Sequence, residues 1–284
     1  VASRQMQARL APDVEIQEPD PADEAGRVSM IQAVQLGDDP AEWETQLSAG
    51  EYNAFAVTVK ASDGTLNYPF ETTVPGRTVS GRAEAVRAAL PQLLDGEKYS
   101  IARLSCLRDG SIARQNLETM GLKNTGGYVF YDGNNENWLD PAKEATRTYL
   151  ASLAVECADL GFDEILLDNW AFPTDGELGW IKADANYPAD GRTAALEVFL
   201  EEVRAGLAEF PEVKVSLVTT ASAAAGGAVE SGQTAALLER ADRVLVRLGE
   251  GETLPRLNQT PVVPVLEQAG QAREDWAVLA MTGE

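Results

Sequence analysis

Two hydrophobic periods alternate along most of this chain. Apolar runs at residues 28–34, 53–60, 99–107, 161–168, 213–219, 243–248, 261–266 and 276–281 are short, rich in Val, Ile, Leu and Ala, and bounded by polar or Gly-containing turns. Such runs are expected of parallel strands covered on both faces. Between most of them, at residues 41–47, 81–94, 142–160, 192–210 and 233–241, apolar residues recur at helical spacing. Eight strands mostly separated by helices predict an α/β protein with the (β/α)8 TIM-barrel fold. Only residues 268–275 are left to connect the seventh strand to the eighth, so an open doubly wound sheet is the alternative. That alternative has no Gly-x-Gly-x-x-Gly after the first strand and no phosphate-cradling loop to support it.

Local signals sharpen this outline. Asp140 followed by Pro141 reads as an N-cap and first helical position, and Gly161 is placed to stop the same helix. Pro91 predicts a break or kink in the helix over 81–94. Two long excursions, residues 110–139 and 173–190, carry Tyr128, Phe130, Tyr131, Trp138, Trp180 and Tyr187; loops of that length in a barrel are functional or mobile. Residues 1–26 are acidic and Pro-containing and read as a linker or arm, leaving 27–284 as one barrel domain.

Composition narrows the chemistry. The chain has 284 residues, 44% of them hydrophobic, enough for a substantial core. A net charge of −22 repels phosphate backbones and anionic lipid, so neither nucleic acid nor a membrane surface is an expected partner, whereas a neutral polymer meets no such barrier. There is no His, which removes Ser-His-Asp triads, His zinc sites and imidazole acid/base catalysis together. The two cysteines, Cys106 and Cys157, cannot form a four-Cys metal site and read as core thiols. Acid/base chemistry therefore falls mainly to Asp and Glu. No cofactor motif is present; a carboxylate-bound Ca²⁺ in residues 132–137 is weighed against a flexible turn, and the turn is favoured.

Four segments resemble one known family. Residues 53–60 (Asn-Ala-Phe-Ala-Val-Thr-Val-Lys) with Asp63-Gly64 and Tyr68 are similar to that family's second-strand motif. Ile101-Ala102-Arg103 with Arg108-Asp109, and Trp138-Leu139-Asp140-Pro141, follow its next two motifs. Residues 161–165 (Gly-Phe-Asp-Glu-Ile), running on to Asp168 and Phe172-Pro173, follow the fourth. The family is a bacterial domain of unknown function regarded as a glycoside hydrolase of TIM-barrel type, and the likeness spans residues 28–281. Several of its polar positions are replaced: Thr58 and Ala61 stand where it has Asp, Ala171 where it has Arg, and Glu267 where it has Gln. Its Pro-Met-x-Tyr-Pro-Ser segment gives way to Arg247-Leu248-Gly249-Glu250.

The resemblance implies cleavage of an acetal between two carboxyl groups, about 5 Å apart for retention or 6.5–9.5 Å for inversion. Asp168 ends the fourth strand and Glu267 the seventh, at the same rim of a barrel; Asp109 is the other candidate second acid. Lys60, Arg103, Asp140, Asn169, Trp170, Tyr131 and Trp138 are expected to contact substrate. Arg103, charged in mid-strand, must meet a buried partner, Asp168 or Asp140, whether as a structural ion pair or to tune a neighbour. Asp140 is also read simply as a helix cap. Two readings of the whole remain: a glycoside hydrolase acting on a poly- or oligosaccharide, or a catalytically degenerate barrel that binds glycan or serves as a scaffold. Cell-wall or dietary glycan is the expected partner. The expected location is extracellular or cell-surface, an export signal or anchor having been removed ahead of Val1.

Overall fold

The computed structural model describes residues 31–182, 191–227, 229–249, 251–267 and 277–281. The predicted arm at 1–26, Tyr187 and the connection at 268–275 lie outside the described residues.

Short runs of Val, Ile, Leu and Ala form the barrel: β1 (Gln32–Leu36), β2 (Ala54–Lys60), β5 (Tyr99–Ser105), β6 (Glu164–Asp168), β7 (Lys214–Thr220), β8 (Arg243–Arg247), β9 (Val262–Leu266) and β10 (Val278–Met281). Every neighbouring pair is parallel, and β1 pairs with both β2 and β10. The sheet therefore closes on itself, which excludes the open alternative. Two short strands, β3 (Thr65–Leu66) and β4 (Thr78–Val79), extend from the end of β2.

The outer layer contains α1 (Trp43–Ser48), α2 (Ala83–Leu94), α3 (Gly110–Gln115), α4 (Glu144–Leu160), α5 (Gly191–Gly206), α6 (Ala221–Ala224) and α7 (Ala235–Leu238). Helix α4 ends where expected, with Gly161 left-handed at φ 103°. It begins later than the Asp140-Pro141 signal suggests: the Asp140 carboxylate accepts from the Ala142 N–H, closing a turn, and regular helix starts at Glu144. Pro91 does not break α2. Pro91 and Arg87 are both exposed, so the hydrogen bond that Pro91 cannot make is missing from the solvent side of α2. Phe55, Leu104, Leu153, Phe162, Phe199 and Val203 are among the buried residues of the core that joins the sheet to these helices.

The inside of the barrel is built in tiers by strand alternation. At the N-terminal end Tyr99, Glu164, Ser216 and Arg243 form a polar floor. Glu164 accepts from Tyr99 Oη at 2.9 Å and Ser216 Oγ at 2.5 Å, and Arg243 Nη2 lies 3.0 Å away. Burial, with the Glu164 charge beside it, pushes the Tyr99 phenol well above its usual range. Two residues further along the strands, Ile101, Leu166, Val218 and Leu245 join Ala33, Ala56 and others in an apolar middle tier. Two residues further again, Arg103, Asp168 and Arg247 stand at the C-terminal mouth.

Candidate active site at the barrel mouth

Asp168 occupies the last position of β6, and its side chain is 3% exposed. One oxygen, Oδ2, accepts from Arg103 Nε at 3.1 Å, Arg103 Nη2 at 2.7 Å and Arg247 Nη2 at 2.6 Å. The other, Oδ1, accepts from the Asn169 N–H at 2.8 Å. Burial by itself would raise the pKa of this carboxyl. The charges of Arg247 and Arg103, and the hydrogen bonds they donate, outweigh burial and hold it below the usual carboxylate range. Asp168 is thus an anion at neutral pH and cannot serve as a proton donor there.

The guanidinium of Arg103 is oriented from its other side by Gln35, whose Oε1 lies 3.5 Å from Arg103 Nη1. Gln35 Nε2 donates to Ala56 O and Thr58 Oγ1, each at 3.1 Å. Thr58 thus contributes a hydroxyl to this network. Of the two partners expected for Arg103, the structure pairs it with Asp168. Arg247 was not anticipated as part of the site. Its side chain is 43% exposed, so it lies over Asp168 on the solvent side.

Asp109 and Lys60 form a separate centre. Their charged atoms are 3.0 Å apart, with side chains 1% and 0% exposed. The contact falls outside hydrogen-bonding geometry, so charge attraction in a dry setting holds it. The register slips between Thr58 and Lys60, and Asp109 Oδ1 caps α3 by accepting from the Ile112 N–H at 3.0 Å. Both residues were expected at the substrate. The structure ties them instead to each other and to the start of α3, because each supplies the buried charge the other requires.

Gly64 packs directly on this pair. Its φ is +91°, and an added Cβ would lie 2.6 Å from the Asp109 carboxyl carbon. Gly64→Ala is expected to destabilise the fold by about 2 kcal/mol or more, through positive φ and displacement of a buried carboxylate. A shifted midpoint in urea unfolding is the check.

The remaining predicted residues separate by environment. Asn169 is at the mouth with φ +46°, its Nδ2 donating to Ser105 Oγ at 2.9 Å. Trp170 is buried, and its indole N–H donates to Val218 O at 2.8 Å, so it packs between strands and offers no stacking face. Trp138 is buried and donates to Asp132 Oδ2 at 2.9 Å. Asp132 Oδ1 accepts the N–H groups of Asn134 and Glu136 at 2.9 and 2.8 Å, which sets the turn expected in residues 132–137. Asp140 is buried and serves the turn before α4. Tyr131 is half exposed. Glu267 is exposed, directly after β9. Cys106 and Cys157 are buried free thiols, their pKa values raised by burial. Among the described residues no group of three or more His, Cys, Asp or Glu is placed to hold a metal ion.

A closed parallel barrel with an ionised carboxylate at the C-terminal end of its fourth strand belongs to the class of (β/α)8 proteins whose chemistry collects at that rim. Within this class, residues 43–240 match the family described as "Putative glycosyl hydrolase domain", and the chain belongs to that family. The solved structures that resemble it are barrels too. A hypothetical protein from Ruminiclostridium thermocellum aligns with TM-score 0.51 and 24% identity, covering 63% of this chain and 89% of that one. The glycoside hydrolase domain of PgaB (BpsB) from Bordetella bronchiseptica aligns with TM-score 0.52 and 15% identity, covering 77% and 74%. The GH36 α-galactosidase AgaA from Geobacillus stearothermophilus aligns with TM-score 0.51 and 10% identity over 89% of this chain and 39% of its own. At these identities the likeness is one of fold. A search of curated proteins finds no match.

Proposed function

We propose that the barrel mouth hydrolyses glycosidic bonds of a neutral poly- or oligosaccharide, with Asp168 as the ionised carboxylate and Glu267 as the proton donor. The observation that carries this reading is the bracket of Arg103 and Arg247 around Asp168, which keeps the carboxylate charged where an oxocarbenium-like transition state needs an anion. Glu267 is preferred to Asp109 as partner because Asp109 is buried against Lys60. Glu267, exposed just beyond β9, is the acid left from the predicted set. Arg247, exposed above Asp168, shifts away from the carboxylate for a sugar to approach. Cell-wall or dietary glycan encountered outside the cell is the source of substrate consistent with an acidic, nucleic-acid-averse surface; detection in culture supernatant or on intact cells tests the location.

The experiment is reducing-end release from cell-wall and plant oligosaccharides, with native protein and with Glu267→Gln. Removal of a general acid lowers the rate about 10²–10⁴-fold on natural linkages, and much less on aryl glycosides whose leaving group needs no proton. An equal loss on both substrates removes Glu267 from the role.

A second reading, binding without turnover, is favoured by one observation: both oxygens of Asp168 are already engaged by protein donors. Saturable binding with no product from any glycan tested supports it.

A further inference from the structure

Among the described residues three large aromatic side chains are substantially exposed: Tyr128 at 74%, Trp180 at 61% and Tyr131 at 50%. All three lie on the loops that follow β5 and β6, the strands that supply Arg103 and Asp168. The exposed rings cost apolar surface in water, and nothing among the described residues covers them fully.

These loops are fastened to the barrel by backbone hydrogen bonds. Cys106 N donates to Asp168 O, and Leu107 N to Asn169 O. Leu139 N then donates to Leu107 O, and Leu122 N to Trp138 O. Lys123 pairs antiparallel with Val129, and Asn124 with Ile181; Thr125 N donates to Trp180 O and Lys182 N to Lys123 O. A small irregular sheet thus runs from Asp168 to the segment bearing Tyr128 and Trp180. Four strand spacings set its length at about 20 Å or less. Beside it Gly176 has φ +88°, and an added Cβ there would lie 2.8 Å from Gly133 N; Asn134 Nδ2 donates to Asp175 Oδ2 at 3.0 Å, joining the two loops. The aromatics therefore stand on a fixed platform, not on free loop tips.

We infer that Tyr128, Tyr131 and Trp180 form a stacking platform for a neutral oligosaccharide that extends away from Asp168. The inference rests on the glycan reading of the barrel mouth and adds a second contact region to it. Pyranose rings present flat C–H faces that pack on aromatic rings, while their hydroxyls remain in water. The protein's net charge of −22 disfavours an acidic chain, and the platform is continuous with the mouth, whose proposed substrate is neutral.

Binding is measured by calorimetry in the Asp168→Asn background, so that no probe is cut. Cellohexaose, xylohexaose, mannohexaose and the hexamer of N-acetylglucosamine are each compared with their dimers, and with hexagalacturonate. For at least one neutral series the hexamer binds about tenfold or more tightly than the dimer. The Tyr128→Ala/Trp180→Ala double variant lowers that hexamer affinity about twentyfold, and the Trp180→Phe variant, which keeps a ring, loses far less. Equal binding of dimer and hexamer, unchanged hexamer affinity in the double variant, or binding of none of the neutral hexamers overturns the platform. Length-dependent, ring-dependent binding by a protein whose native form releases no reducing ends sustains the platform and removes hydrolysis alone.

Discussion

Asp168→Asn is expected to reduce reducing-end release by about 10³-fold or more while leaving oligosaccharide affinity within a few-fold of native. In the proposed mechanism the carboxylate holds negative charge against the substrate, and the amide keeps its shape but not its charge. The same substitution takes the carboxylate charge away from Arg103, 11% exposed. A stability loss of about 2 kcal/mol is expected, below the range for a sealed ion pair because Arg247 on the other side is 43% exposed and hydrated. The pH dependence has a definite sign. The folded pKa of Asp168 lies below its unfolded value of about 4, so its ionisation adds stability above that pH and loses it as pH falls through the folded value. Urea unfolding of native and Asp168→Asn protein should show the full gap at neutral pH and convergence in acid. A gap that persists unchanged at pH 3, or activity that survives the substitution, contradicts the assignment.

The second large effect is expected at Lys60. Lys60→Met leaves Asp109 charged and buried at 1% exposure, which costs about 3–5 kcal/mol. Adding Asp109→Asn removes the stranded charge and keeps a competent cap for α3, since Asn caps as well as Asp. The double variant should regain at least half of the lost stability. If both variants are equally unstable, the ion pair is not the cause. If Lys60→Met is as stable as native, the pair contributes nothing. Either result is read from the midpoint and slope of denaturant unfolding.

The barrel itself was legible because strand cores announce themselves locally. Residues 165–167 form a continuous apolar run that ends in Asp168, and the strand lies where that run predicts. Arg103 was equally readable as a charge in mid-strand that needed a partner. The choice of Asp168 over Asp140 was not readable, because it depends on the β5–β6 register across 65 positions of sequence. Arg247 was missed, although its signal was present: Arg243, Leu245 and Arg247 alternate along β8 and place a charge at each end of an apolar strand. The Glu164–Arg243 pair on the floor is the other half of that pattern. Asp109 reads as a rim acid because it follows a strand end, as rim acids do. Only the irregular register at Thr58 and Lys60 shows that an ammonium already waits there. Trp170 and Trp138 illustrate a different limit. An aromatic beside Asn or Gly looks the same in sequence whether its indole N–H finds a carbonyl, a carboxylate or water.

The Ile101, Leu166, Val218 and Leu245 tier works as an insulating septum between two charged compartments. Among the described residues no chain of polar side chains is seen to carry a proton from one end to the other. The two ends are therefore free to diverge separately. Substitution at Arg103 or Arg247 would alter the upper compartment while the Glu164–Arg243 pair goes on anchoring the lower end of the same cylinder.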